Sequence, residues 1–135
     1  MPDFLPWSDI YGVRIQKFDV QHKALFRIVN DLHQAMGTGG NRGVASALNE
    51  LIDFFQTHFA AEESAMQQHG FAGLDRHRAE HAQLTGHLAD FKRKFDAGKV
   101  TVSLELLTFL QAWIKHHILL TDKTYSSHLT AQGMR

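Results

Sequence analysis

Apolar residues recur along this chain in steps of three and four, and glycine-bearing breaks divide the pattern into four segments. Such steps place the apolar side chains on one face of an α-helix, as in a helix that packs into a bundle. The breaks fall at residues 37–40, 69–73 and 96–103. Because short connections join antiparallel neighbours, the pattern predicts an all-α, up-down-up-down four-helix bundle with an N-terminal arm and a short C-terminal segment.

Length and composition indicate one domain over residues 1–135. Prolines occur only at positions 2 and 6, so no proline interrupts the four segments. The formal charge is zero and the two signs are interspersed, which predicts no nucleic-acid partner and no membrane partner. The chain does not begin like a signal peptide, and no apolar run is long enough to span a bilayer. We therefore expect a cytoplasmic protein.

The unusual chemistry of this sequence lies in its histidines. There are ten of them and no cysteine, which excludes disulfides, thiolate zinc sites and a cysteine nucleophile. Six polar residues fall on the apolar stripes and are predicted to point inward. They are His22, His58, Glu62, His77, His81 and His117. In an antiparallel bundle these positions share one end, roughly 20 Å from the other at about 1.5 Å rise per residue, so they form one layer.

Each inward residue also has a plain structural interpretation. A single buried histidine is most often a core residue bonded to a neighbour, and the spacings of His58 with Glu62 and of His77 with His81 are common. A complete layer is different, because each unpaired buried polar group costs several kcal/mol. A metal satisfies the layer directly, and one ion accepts at most six ligands. The five histidines, Glu62 and a second acid, which is identified next, exceed this number and therefore indicate two ions.

The second acid is expected to be Asp122, five residues after His117. Five residues turn about 140° round a regular helix, so the two side chains converge only if the helix ends or bends near residues 119–121. Taken alone, Asp122 is more typical of a surface or capping residue.

Four motifs make the arrangement recognisable: QHKxLF (21–26), HFxxEE (58–63), HxxxH (77–81) and HHIxxTDKxY (116–125). In this order they resemble the hemerythrin family, and bacterial hemerythrins in particular, from Trp7 to Tyr125. The resemblance implies two non-haem iron ions bridged by two carboxylates and a solvent oxygen. One ion would take His77, His81 and His117, the other would take His22 and His58, and the bridging carboxylates would be Glu62 and Asp122.

A coordination count agrees with the chemistry that this resemblance implies. Two octahedral ions offer about twelve positions, and the ligands above leave one free, on the iron with two histidines. The expected function is reversible binding of dioxygen, as a carrier, store or sensor, and not catalysis. Five apolar residues are expected to line the free position, although all five also fit an ordinary core. They are Leu25, Phe59, Trp113, Ile114 and Ile118. Tyr125 is expected to pack over the site.

Other functions remain open at this point. The same two irons could serve a redox enzyme with peroxidase-like or nitric-oxide-handling activity, or zinc or manganese could occupy the site. Residues 77–81 read HRAEH, which matches an H-x-x-E-H zinc peptidase with Glu80 as general base. That alternative leaves the other inward ligands without a role and needs a substrate cleft. An unknown protein partner is also open. The remaining histidines are predicted to lie on the surface: His33, His69, His87, His116 and His128.

Overall fold

The computed structural model describes residues 3–38 and 40–135, and within these ranges the secondary structure is entirely helical. The α-helices are α1 (Gln16–Thr38), α2 (Gly40–Gln68), α3 (Leu74–Asp96), α4 (Leu104–His116) and α5 (Lys123–Ala131). A π-helical turn (His117–Asp122) joins α4 to α5. Because α4, this turn and α5 run on continuously, the fold has four helical rods, α1 to α3 and this composite fourth. The prediction of an all-α four-helix bundle is confirmed.

Local sequence explains where the rods begin and end. Ser103 caps α4, since its hydroxyl accepts a hydrogen bond from the backbone N–H of Leu106. Gly70 and Gly98 follow α2 and α3 with φ values of 63° and 75°, a left-handed conformation that glycine adopts without strain. These two loops lie where the breaks at 69–73 and 96–103 were predicted.

Two predicted boundaries were wrong. Residues 37, 38 and 40 were expected in a loop, but α1 continues through Thr38 and α2 begins at Gly40; residue 39 lies outside the described residues. The fourth helix was expected to end or bend near residues 119–121. It instead widens into the π-helical turn and continues as α5, so the short C-terminal segment is also helical.

Buried apolar side chains form two clusters. The larger, which we call the main core, fills most of the bundle between the four rods. The smaller, which we call the closing cluster, lies at one end and is built from the arm, α1, α2 and α5. Its members are Val13, Ile15, Phe18, Ala65, Met66, Tyr125 and Leu129.

The N-terminal arm is fixed to the bundle by side chains of the helices. Asn30 on α1 accepts from the backbone N–H of Leu5 at 2.7 Å and donates to its carbonyl at 3.0 Å. Gln111 on α4 donates to the carbonyl of Phe4 at 2.7 Å. The arm therefore spans two helices before it reaches the closing cluster. None of the helices in the described ranges is long and apolar enough to cross a membrane.

Candidate metal centre

Seven polar side chains form a buried layer between the main core and the closing cluster. None is more than 3% exposed. They are His22 on α1, His58 and Glu62 on α2, His77 and His81 on α3, and His117 and Asp122 on the π-helical turn. The structure thus brings together all seven residues that the sequence predicted as ligands.

The π-helical turn explains how His117 and Asp122 converge. In a regular α-helix residues five apart point in different directions, whereas in a π-helix the backbone bonds run from i to i+5, so such residues follow one another on one face. The Nε2 atom of His117 lies 3.0 Å from Oδ1 of Asp122. The wide turn therefore replaces the helix end or bend that the sequence alone suggested.

The carboxylate of Glu62 faces histidines on two sides. Its Oε1 lies 3.4 Å from Nε2 of His81 and 3.8 Å from Nε2 of His77. Its Oε2 lies 3.3 Å from Nε2 of His22 and 3.4 Å from Nε2 of His58. Each oxygen therefore belongs to a different set of imidazoles.

Asp122 divides its oxygens in the same way. Oδ1 lies 3.0 Å from Nε2 of both His77 and His117, and Oδ2 lies 3.1 Å from Nε2 of His22. We call His77, His81 and His117 the three-histidine group, and His22 and His58 the two-histidine group. The two carboxylates stand between these groups, which is the arrangement that two neighbouring cations would need from bridging ligands.

The hydrogen bonds that the atoms of the layer make or lack indicate whether cations would fit there. Nε2 of His77 and both carboxylate oxygens of Asp122 are buried without a hydrogen bond to the described part of the chain. Yet Nε2 of His77 lies 3.0 Å from Oδ1 of Asp122, and Nε2 of His22 lies 3.1 Å from its Oδ2. Nε2 of His81 also faces Nε2 of His117 at 3.1 Å. Leaving such groups unpaired costs several kcal/mol, whereas cations held between them would satisfy all of them. Imidazole and carboxylate suit iron, zinc and manganese.

Charge within the layer shifts the pKa values strongly. Burial alone would lower the pKa of His22, but the carboxylates of Asp122 and Glu62 beside its ring raise that pKa to about 10. The same carboxylates overcome burial at His77 and raise its pKa to about 9. Burial raises the pKa of Glu62, yet His58 and the other imidazoles hold it well below its usual value. Without metal, protonated imidazoles compensate the negative charge of the carboxylates, so binding of cations must release protons from the imidazoles.

Three side chains contact the outward nitrogens of the histidines. Nδ1 of His58 lies 2.5 Å from Oε1 of Gln21, and Nδ1 of His81 lies 2.8 Å from Oε2 of Glu63. Nδ1 of His117 lies 3.0 Å from Oε1 of Glu80, the residue that the peptidase alternative assigned as a base. Sequence reasoning missed all three in this role. The available signal was their place in the motifs, since each is next to a predicted ligand.

Tyr125 anchors one carboxylate from the closing cluster. Its hydroxyl donates to Oε2 of Glu62 at 2.5 Å. Burial and the charges of Glu62 and Asp122 raise the pKa of Tyr125 well above its usual value. The phenol therefore keeps its proton and remains a donor. This contact gives a specific form to the predicted packing of Tyr125 over the site.

A small, mostly apolar cavity of about 10 Å³ has room for one water-sized molecule. Both members of the two-histidine group line it, and so do His117 and Asp122. All five residues predicted around the free position line it: Leu25, Phe59, Trp113, Ile114 and Ile118. Phe55, which was not predicted, lines it too. Two of the aromatic rings stack on imidazoles of the three-histidine group, Phe59 on His81 at 3.7 Å and Trp113 on His117 at 4.4 Å between centroids.

The five other histidines lie away from the layer. His33, His87 and His116 are exposed, as predicted. His69 and His128 are half-buried, and Nε2 of His128 donates to the carbonyl of His69 at 2.6 Å. This bond joins α5 to the loop after α2, so the surface prediction was only partly right for these two.

Known proteins resemble this chain in both sequence and fold. Residues 13–129 match the model of the hemerythrin HHE cation binding domain. The chain is 38% identical to the bacteriohemerythrin of Methylococcus capsulatus over 90% of its own length and 92% of that protein. It is 27% identical to the myohemerythrin of Theromyzon tessulatum, covering 96% and 97%. A crystal structure of wild-type hemerythrin superposes with a TM-score of 0.91 at 36% identity, covering 94% of this chain and 98% of that one. The chain therefore belongs to the hemerythrin family.

Proposed function

We propose that this protein binds dioxygen reversibly at a pair of non-haem iron ions. The observation that carries the proposal is the division of the carboxylate oxygens between two unequal groups of histidines, with an apolar cavity beside the smaller group. Relatives named bacteriohemerythrin and myohemerythrin support the same conclusion. The proposed ligands are the seven residues of the layer, in one domain over residues 1–135.

The unequal numbers of histidines in the two groups would leave a position for a small ligand on only one of the two ions. Three imidazoles with Glu62 and Asp122 would hold one ion, and two imidazoles with the same carboxylates would hold the other, so the second ion would have fewer ligands from the protein and room for a small molecule. When bound, a ferrous pair supplies the two electrons that reversible capture of dioxygen needs. His22 and His58 both border the cavity, whereas His117 is the only member of the three-histidine group that does, so the open position proposed on the two-histidine side would face the cavity.

The apolar lining of the cavity determines what can enter. Leu25, Phe59 and Ile118 offer no hydrogen bond to water, and the small volume excludes all but very small molecules. Among the described residues that line the cavity, the only polar ones are proposed ligands. No side chain there is placed to give a proton to a bound molecule, which favours release of dioxygen unchanged over the redox enzyme considered from the sequence.

The geometry gives no support to the peptidase alternative. Glu80 accepts hydrogen bonds from Nδ1 of His117 and from the hydroxyl of Thr121, which lies 2.9 Å from its Oε1. A general base must instead be free to take a proton from water beside the metal. We therefore assign Glu80 to the support of His117.

An anaerobic visible spectrum, recorded before and after addition of oxygen, tests the proposed function. We expect two irons per chain by elemental analysis, a nearly colourless reduced protein, a visible band after oxygen, and bleaching when oxygen is removed. Tight binding of one zinc with no uptake of iron would contradict the metal assignment. Steady consumption of oxygen in the presence of a reductant would instead establish the redox enzyme.

A further inference from the structure

The outward nitrogens of the proposed ligands have unequal partners on the two sides of the layer. We propose that Glu63 and Glu80 stabilise the higher oxidation state of the ion at the three-histidine group. Gln21, which is neutral, does not stabilise that state at the two-histidine group, so the ion there is easier to keep reduced. The inference rests on the proposed di-iron function and extends it to residues that bind no metal. These residues would determine which of the two ions gives up an electron first.

On the three-histidine side the support is anionic. Oε2 of Glu63 lies 2.8 Å from Nδ1 of His81, and Nε of Arg78 donates to Oε1 of the same carboxylate at 3.3 Å. Glu63 is thus held by a second element, α3, and is only 24% exposed. A carboxylate held on both oxygens keeps a fixed position behind the ring of His81, although the cation of Arg78 offsets part of its charge.

The second anionic support is Glu80. Its Oε1 lies 3.0 Å from Nδ1 of His117, and the hydroxyl of Thr121 lies within 3.1 Å of both of its oxygens. Thr121 belongs to the π-helical turn that carries His117 itself. The turn therefore fixes both the ligand and the group that orients its ring.

On the two-histidine side the corresponding support is neutral. His58 meets the amide oxygen of Gln21 at 2.5 Å, and Nδ1 of His22 has no hydrogen-bond partner among residues 3–38 and 40–135. Nδ1 of His77 is also without one in these ranges, so the asymmetry comes from His81 and His117. Two of three imidazoles on one side have a carboxylate behind them, and neither imidazole on the other side does.

The physical effect follows from the proton on Nδ1. An imidazole that binds metal through Nε2 carries its hydrogen on Nδ1, and a carboxylate acceptor draws this hydrogen away and raises the basicity of the ring. A more basic ligand stabilises the more highly charged ion. An amide acceptor draws the hydrogen more weakly. The first electron that the reduced pair gives to a one-electron oxidant, such as a redox mediator, therefore comes from the ion of the three-histidine group, and the ion of the two-histidine group stays ferrous.

Three nearly isosteric variants separate this electronic effect from packing. Glu63→Gln and Glu80→Gln remove the charge on the three-histidine side, and Gln21→Glu adds one on the other side. Glu50→Gln, at an exposed position of α2, is the matched control. Each variant is loaded with iron without oxygen and titrated with redox mediators, and each metal-free protein is titrated with cobalt(II), whose absorption reports ligand binding.

For Glu63→Gln and Glu80→Gln we expect cobalt(II) affinity to fall 10- to 100-fold. We also expect a higher potential, by about 59 mV for each tenfold loss of preference for the oxidised ion in a one-electron couple. Gln21→Glu should shift the potential of the other ion downward. The melting temperature of the metal-free proteins should stay close to that of the control, because charge and not shape has changed.

Unchanged potentials in both glutamine variants would overturn the inference, even if their melting temperatures fell, since the role would then be structural. A rise in potential with Gln21→Glu would also overturn it. Should Gln21→Glu not fold, the other two variants decide the question. Failure of the wild-type protein to bind oxygen reversibly would refute the proposed function alone. The cobalt(II) affinities and iron potentials would still test the outer residues.

Discussion

The main core and the metal end, by which we mean the polar layer with the closing cluster, lie on the same four rods but are stabilised differently. In the main core the inward positions are apolar, for example Leu51, Leu84 and Leu110, and their removal from water stabilises the fold by roughly 25 cal/mol per Å². In the layer the same kind of position carries His58, His81 or Asp122. Their burial costs free energy until a cation binds.

The closing cluster depends on that layer for its position. Its residues come from four segments that meet beyond the layer, and side-chain hydrogen bonds from α5 reach the arm, α2 and the loop after α2. Ser126 donates to the carbonyl of Val13 at 2.6 Å, and Tyr125 donates to Glu62. We therefore expect one amphipathic pattern to encode two kinds of stability, an intrinsic one in the main core and a metal-dependent one at the metal end.

Loss of a shared carboxylate should have the largest effect. Glu62→Ala or Asp122→Ala removes a negative charge that faces both groups of histidines and frees a position on each ion. We expect loss of at least one iron per chain and of the linked stability, which is about 2.7 kcal/mol when free metal is at 100 times its Kd. Elemental analysis and thermal melts check this. Two irons retained by both variants would contradict the bridging assignment.

Truncations on either side of the layer sharpen the comparison. Leu110→Ala in the main core should lower the free energy of unfolding by about 2–5 kcal/mol, with and without metal. Leu129→Ala in the closing cluster should cost a similar amount in the loaded protein but much less without metal, because the incompletely hydrogen-bonded groups of the layer then already loosen that end. Urea unfolding with and without a chelator measures both. Equal losses for Leu129→Ala in the two states would refute a metal-dependent end.

The apolar wall of the cavity should affect the lifetime of the oxygen-bound protein more than its free energy of unfolding. Ile118→Glu places a carboxyl group beside the proposed open position and should admit water and protons. We expect irreversible oxidation to become roughly tenfold faster, which corresponds to about 1.4 kcal/mol in the barrier, with iron content unchanged. Decay of the visible band in air measures the rate, and Ile118→Leu is the matched control. Identical rates in the two variants would mean that this wall does not protect the site.

The layer itself could be predicted from the sequence because burial and periodicity are coupled. A polar residue such as His22 or Glu62 on an apolar stripe must be buried, and antiparallel topology determines which stripes meet. The π-helical turn could not be predicted in the same way. The distance of five residues between His117 and Asp122 contradicts a regular helix, and nothing local indicates whether the chain ends, bends or widens there.

The outer partners were missed for a related reason. Gln21, Glu63 and Glu80 are polar residues at partly exposed positions, where sequence periodicity predicts only solvent contact. Their role depends on which ring nitrogen faces outward, and that follows from tertiary geometry. The HRAEH spacing even suggested a different function for Glu80. Phe55 was missed because a phenylalanine beside a cavity occupies the same kind of position in the apolar sequence pattern as any other core phenylalanine.

The smallest effects are expected for histidines that lie on the same helices but outside the layer. His33 and His87 are exposed and each contacts one aromatic ring, His33 with Phe4 at 4.7 Å and His87 with Phe109 at 4.6 Å between centroids. Replacing either with alanine should cost no more than about 1 kcal/mol, the scale of one aromatic contact. Iron content and the visible spectrum should not change. Iron content and the visible spectrum are measured in parallel with those of Glu62→Ala. If His33→Ala or His87→Ala lost iron as that variant does, metal binding would not be confined to the buried layer, and the distinction between the two ends of the bundle would be wrong.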